Sequence, residues 1–291
     1  MRLIIKGSLK AHLCENCFEN LSDVNIRLYR PLADKDVVAV ATAATKDTFR
    51  MLSEEEVQQK ENQLIAETTT DAQGNFYLEI AKEYQNQAFE IDFRCSSVPR
   101  KGFTPKKGME RQFHLTTLYP QWREDQQGNL FYTWEYTLAA QWWCIIRGQY
   151  FDAWIICGRL LNCQTGQPLP NIKIIAKDAD LISDDLLGSD FTDSSGYFRI
   201  DYTSSDFKRT FLSPIINVET DPAPPYFSSG PDVYFQLEYA GIPIQFETAA
   251  NRRSNVGYCL CVSLCVDEFV PEDRPIPASL RILANSAGIT S

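Results

Sequence analysis

The sequence predicts an all-β chain built as two tandem sandwich modules, the first with a short inserted helix. Three observations predict it. One set of turn and strand signals occurs twice, in the same order. Short runs alternate apolar and polar residues, the period of strands with one buried face. The chain has 291 residues, which fits two domains of ordinary size.

The first copy reads Ile5-Lys6-Gly7-Ser8-Leu9, then Leu21-Ser22-Asp23-Val24-Asn25-Ile26, then Thr70-Asp71-Ala72-Gln73-Gly74-Asn75-Phe76. The second reads Ile156-Cys157-Gly158-Arg159-Leu160, then Leu169-Pro170-Asn171-Ile172-Lys173-Ile174, then Thr192-Asp193-Ser194-Ser195-Gly196-Tyr197-Phe198. Gly7 and Gly158 lie farther apart than Asp71 and Asp193 do. The first copy therefore holds a surplus, which the sequence places at the helix.

Taken in order, a strand runs from Leu3 to Leu13, and Val24, Ile26 and Leu28 alternate on the next. Between Val37 and Gln63 the β pattern breaks. Ser53 and Glu56 form a capping box, and the residues after them are good helix formers. A short, exposed helix follows, within an insertion near 46–63. Its apolar face is narrow, so it either packs weakly or docks on something else. Asp71 to Gly74 is a hairpin turn. Phe76/Leu78/Ile80, Phe89/Ile91/Phe93 and Phe113/Leu115 give further strands, and residues 96–111 form a polar, basic loop. Residues 118–153 are aromatic-rich, with a hairpin tip at Asp125 to Asn129 and a strand-sized apolar run from Trp142 to Ile146. The second module opens near Trp154. Ile172/Ile174, Phe198/Ile200 and Val233/Phe235/Leu237 are strands, and Cys259 to Val266 is the last. Asp178 to Gly188 reads as an acidic loop with a short helical turn, and Asp221 to Pro231 as a rigid exposed connection.

Apolar residues make up 44% of the chain and charged residues 23%, a globular composition. The net charge of −10 opposes nucleic acid. A small basic cluster, Arg100, Lys101, Lys106 and Lys107, reads as a solvated loop. No stretch is apolar enough for a transmembrane segment, and the first residues lack the apolar core of a signal peptide. The expected location is cytoplasmic, or a particle assembled in the cytoplasm. Nine cysteines, an odd number without an export signal, are expected to be reduced.

Candidate chemistry is sparse. The two histidines are His12 and His114. His12 stands two residues before Cys14, where a Cys–His pair competes with a plain structural reading. Cys14-x-x-Cys17 with Cys259, Cys261 and Cys265 has part of the spacing of a zinc site, although small core residues explain these cysteines as well. Asp178, Asp180, Asp184 and Asp185 lack the order of a calcium loop. Ser194-Ser195-Gly196 is turn material, and neither a phosphate loop nor a dinucleotide fingerprint occurs. The expectation is a non-enzyme with no catalytic residue, no cofactor and no metal.

The repeated signals resemble the carboxypeptidase regulatory-like, or transthyretin-like, β-sandwich domain, present as two divergent copies. Gly166-Gln167-Pro168-Leu169-Pro170-Asn171-Ile172 and Thr192 to Phe198 match its pattern well. Phe18-Glu19-Asn20-Leu21-Ser22 departs, lacking the Gly and Pro. The resemblance implies immunoglobulin-like sandwiches and a structural role. One enzymatic relative, the hydrolase of 5-hydroxyisourate, carries histidines and a C-terminal Tyr-Arg-Gly-Ser. This chain ends Gly288-Ile289-Thr290-Ser291, so that activity is rejected.

The domains read as 1–117, a sandwich with a helical insertion; 118–153, aromatic-rich strands and connection; 154–267, a second sandwich; and 268–291, an extended tail. The expected role is a structural or interaction protein, a subunit of a large assembly such as a phage-tail-like or contractile injection particle. Its partners would be other protein subunits, including copies of itself. The alternative is an adhesion module for glycans or a surface. Candidate interaction residues are Trp122, Trp134, Trp142 and Trp143 in the aromatic segment, and Pro271, Pro275, Pro277, Leu280 and Ile282 in the tail, which has few means of folding alone.

Overall fold

A computed structural model describes residues 2–14, 17–31, 49–98, 110–180, 184–207 and 230–267. The basic loop, most of the Asp221 to Pro231 connection and the tail with Pro271, Pro275, Pro277, Leu280 and Ile282 lie outside the described residues. The chain divides into two compact units, Met1–Trp154 and Ile155–Ser291.

In the first unit, strand β1 (Leu3–Cys14) is the spine of one sheet. It pairs antiparallel with β2 (Cys17–Asn20) and β6 (Asn75–Ile80), and parallel with β10 (Leu130–Leu138). A short β9 (Arg123–Glu124) meets only the start of β10. The facing sheet has the order β4-β8-β7-β3-β5. Its strands are β3 (Asn25–Tyr29), β4 (Arg50–Met51), β5 (Leu64–Thr69), β7 (Phe89–Cys95) and β8 (Arg111–Leu118). The core between the sheets holds Leu3, Ile5, Leu9, Phe76 and Leu78 from one side, and Val24, Ile26, Ile91, Phe93 and Phe113 from the other, all buried. These are the alternate residues of each strand, as a pleated sheet with one dry face requires.

The second unit repeats this plan. Strand β11 (Trp154–Asn162) pairs parallel with the last strand, β17 (Cys259–Val266), and lies beside β14 (Tyr197–Tyr202). The other sheet runs β13 (Asp185–Phe191), β12 (Lys173–Asp178), β15 (Val233–Tyr239), β16 (Ile242–Ile244). Both units are thus all-β sandwiches whose first and last strands run parallel.

The repeat extends to single atoms. Thr70 Oγ1 donates to the Leu21 carbonyl at 2.6 Å and accepts from the Val24 amide. Thr192 Oγ1 donates to the Leu169 carbonyl at 2.6 Å and accepts from the Ile172 amide. Asp71 accepts from the amides of Gln73 and Asn75, and Asp193 from those of Ser195 and Tyr197. Gly74 and Gly196 both sit near φ +79°, where a Cβ would lie 2.5 Å from the carbonyl oxygen of Leu9 or Leu160. Only glycine fits such a turn without strain.

Three sequence expectations need correction. The run from Trp142 to Ile146 is helical: α2 (Ala140–Ile145; α1 is described below) continues into a π-helical turn, Ile146–Tyr150. A short apolar run buried on several sides has no telling period. Here Trp143, Ile146 and Arg147, spaced three and four apart, are buried together. Second, Asp185 to Gly188 belongs to strand β13, which pairs with β12 on both sides of a bulge at Leu187, itself buried. Third, the cysteines are not all reduced. Cys163 and Cys265 form a disulfide, and Cys14, Cys144, Cys259 and Cys261 are disulfide-bonded as well. Residues 102 apart in sequence were brought side by side by the parallel pairing of β11 with β17, which cysteine counting could not foresee.

Candidate interaction surface

Strand β10 is the last of its sheet on one side. Its residues Leu130 to Leu138 pair with β1, whereas β9 covers only Leu130 and Phe131. Among the described residues nothing pairs with that side of β10 from Tyr132 onward. The Leu130 amide donates to the Arg2 carbonyl at 2.9 Å, toward β1. Backbone groups alternate in direction along a strand with parallel pairing. The N–H and C=O of Thr133, Glu135 and Thr137 therefore point out of the sheet edge.

The side chains alternate too. Trp134 and Leu138 are buried on the core face, with Tyr132 and Tyr136 half-buried beside them. Trp134 meets Phe76 edge-on at 6.0 Å and Tyr136 at 5.5 Å between ring centroids. Phe131 is half-buried on the outer face, while Thr133, Glu135 and Thr137 are exposed there. Lys6 of β1 sits over the Phe131 ring, 5.1 Å from its centroid. Where β9 stops, Gln121, Arg123, Phe131, Tyr132 and Thr133 line a hollow of about 200 Å³. A half-covered aromatic row beside unpaired backbone groups is a surface suited to another polypeptide strand.

The sequence-predicted tryptophans serve mainly the interior. Trp143 is fully buried, and its Nε1 donates to the Glu19 carboxylate at 2.5 Å. The buried Arg147 donates to the same carboxylate at 2.8 Å. Trp142 lies 5.4 Å from Phe49, ring to ring, and Trp122 Nε1 donates to the Gln85 carbonyl at 2.7 Å. Of the four, Trp134 belongs to the β10 row, by its buried face. The edge residues Thr133, Glu135 and Thr137 were missed. Their polar/aromatic alternation was visible, but which strand is last in a sheet depends on where long-range pairing ends.

A second cluster lies under the inserted helix, α1 (Glu54–Glu61). The capping box is present as expected: Glu56 N–H donates to Ser53 Oγ, and Ser53 N–H donates to the Glu56 carboxylate. The expectation that the helix either packs weakly or docks on something else is corrected: it is held on its own unit. The helix docks through charge rather than through an apolar face. Lys60 is buried, 2.6 Å from Asp92 and 2.8 Å from Glu90. Asp92 also accepts from Gln112 Nε2 at 2.8 Å, and its other oxygen lies 3.0 Å from His114 Nδ1. Gln112 Nε2 reaches the Tyr29 hydroxyl, and Arg27 spans Gln112, Glu61 and Glu67. Burial pushes Asp92 upward, but the His114 hydrogen bond and the Lys60 charge outweigh it and hold the carboxyl below its ordinary value. Burial, partly offset by the bond from Gln112, raises Tyr29 to about 12. Asp92, the carboxylate at the centre of the cluster, is held by Lys60, Gln112 and His114 together, as a fastening requires.

The other candidate groups find ordinary partners. The His12 ring lies 4.3 Å from that of Phe18. Asp178 accepts from the Asp232 amide at 2.6 Å, and Asp184 from the Tyr234 hydroxyl at 2.6 Å. Among the described residues no group of three or more His, Cys, Asp or Glu is placed to hold a metal ion, and no helix is long and apolar enough to cross a membrane.

No family model matches the chain, and no curated protein matches it. Solved structures similar to it include the shaft pilin SpaA of Lactobacillus rhamnosus GG, at 9% identity over 95% of this chain and 100% of that one, with a TM-score of 0.27. A putative carbohydrate binding protein of Pseudomonas aeruginosa is 11% identical over 47% of this chain and 88% of its own, with a TM-score of 0.26. A 9R-lipoxygenase of Cyanothece is 18% identical over 43% of this chain, with a TM-score of 0.27, and the chain spans 18% of its length. These likenesses are too distant to bear on what the chain does.

Proposed function

We propose that this protein is a non-enzymatic structural subunit that joins other protein chains through the open edge of β10. The single observation carrying the reading is that edge: outward backbone groups at Thr133, Glu135 and Thr137 beside a half-covered aromatic row. Buried charges that could do chemistry instead fasten α1 to its sheet. The doubled turns at Asp71 and Asp193 also support reading each unit as a divergent carboxypeptidase regulatory-like copy. The disulfides favour an oxidising setting over the cytosol. The test is the native mass of the protein recovered from its source cells. We expect particles larger than the 33.2 kDa chain; a chain that is monomeric there sinks the reading.

A second reading, glycan or surface adhesion, has one observation in its favour. The hollow at β9 is lined by the aromatic residues Phe131 and Tyr132 and by the polar residues Gln121, Arg123 and Thr133, a mixture of residue types found in sugar sites. A glycan array with wild-type protein and with Phe131→Ala tests it. Binding that is lost on substitution favours adhesion, and a blank array removes it.

A further inference from the structure

We infer that the open edge of β10 receives residues 278–284 of a second copy of this chain as an added strand. This rests on the assembly reading above and names its partner. The acceptor stretch, Tyr132 to Leu138, is one strand in length, and residues 278–284 match it residue for residue. That segment reads Ala278-Ser279-Leu280-Arg281-Ile282-Leu283-Ala284. In an added strand Leu280 and Ile282 would share one face, and Arg281 would lie on the other.

The acceptor has the complementary pattern. Exposed Glu135 lies on the outer face, and among the described residues it has no ion-pair partner. The Tyr132/Trp134/Tyr136 row lies on the opposite face. With Arg281 opposite Glu135, Leu280 and Ile282 fall on the aromatic side, because directly opposed residues in a sheet project to the same face. The added strand would satisfy the outward groups of Thr133, Glu135 and Thr137, and would cover the half-buried Tyr132.

Two facts favour this edge and allow a second copy to reach it. The equivalent edge strand, β17, turns the backbone groups of Cys259, Cys261 and Ser263 outward, as shown by the Tyr258 carbonyl bonding toward β11. It offers Arg281 no acid at the matching place. Between Asp267 and Leu280 stand Pro271, Pro275 and Pro277, residues that favour an extended course over doubling back. A dozen residues reach about 40 Å when extended, enough to cross to a neighbour.

The experiment is sedimentation of the full-length chain over a concentration series, with charge and edge variants. We expect reversible self-association. Glu135→Lys and Arg281→Glu should each weaken it by about fivefold, and the double variant should restore it. Ile282→Asp should abolish association. Thr133→Pro should weaken it by about tenfold, since it removes an edge N–H that only the added strand would use. Failure of the double variant to restore association overturns the inference. So does a folded Thr133→Pro variant that associates as wild type, or a wild-type chain that stays monomeric throughout. Should Thr133→Pro not fold, the charge exchange decides alone. In each failure the assembly reading is judged separately, by the native mass in source cells.

Discussion

In the first unit residues 30–63 join β3 to β5; in the second, residues 179–184 join β12 to β13. The strands on either side pair in the same order, so the two outer faces can be compared position by position. In the second unit that face is wet: Ile175, Lys177, Gln236 and Glu238 are half-exposed, and Lys173 faces Glu238 at 3.7 Å. In the first, α1 lies over it, and Arg27, Tyr29, Glu90, Asp92, Gln112 and His114 are all buried. A helix with almost no apolar face can cover a sheet if the charges it traps neutralise one another. Such a fastening adds little net stability over an apolar one, but breaking one partner is costly. The last strands differ in the opposite sense. β10 presents aromatics and an open edge, whereas β17 presents cysteines, one of them locked to Cys163.

The comparison can be broken at the charged face first. Asp92→Ala removes the buried carboxylate shared by Lys60, Gln112 and His114 and leaves Lys60 with Glu90 alone, and should destabilise the first unit by about 3–5 kcal/mol. Hydrogen exchange should show protection lost in β3, β7 and β8 while the second unit keeps its own. Equal loss in both units would mean that they do not carry separate cores.

The mirror experiment replaces both Cys163 and Cys265 with Ala. It should cost the second unit about 2–4 kcal/mol, through the freedom returned to its unfolded chain, and leave the first unchanged, as read by the same exchange pattern. Gly74→Ala and Gly196→Ala sharpen the likeness rather than the difference. Each should cost its own unit about 1–3 kcal/mol, since each forces a side chain into a left-handed turn against a carbonyl. Denaturant melts of the pair should agree closely; a large disparity would deny that the turns are equivalent.

The smallest effect concerns acid. Because the folded-state pKa of Asp92 is depressed, its contribution is fully present above the ordinary carboxylate value of 3.8 and is lost as pH falls through the folded value. Exchange protection in the first unit should therefore decline below about pH 4. Asp92→Asn, which cannot titrate, should flatten that decline.

Much of the fold was legible from local chemistry. The Thr70-Asp71-x-x-Gly74 and Thr192-Asp193-x-x-Gly196 turns are short-range devices, so reading them required no knowledge of the rest. The same holds for the Ser53/Glu56 capping box and the period-two strands. The helix of Trp142 to Ile146 was not legible, since burial on several sides erases the period that would mark it. Nor was the use of Lys60, which on a sequence is one more polar helix residue. Its value appears only when β7 and β8 bring Asp92, Glu90 and His114 beneath it. The β10 row was visible as a pattern, while its edge was not.

By itself, the sequence determined the two copies, their turns, their alternating strands and the cap of the inserted helix, because these depend on neighbours a few residues away. Tertiary structure alone decided that the helix is held by a buried ion cluster, that Cys163 meets Cys265, and that β10 ends its sheet. Those outcomes depend on pairings between residues tens to more than a hundred positions apart, and no local signal encodes which strand will be left without a neighbour.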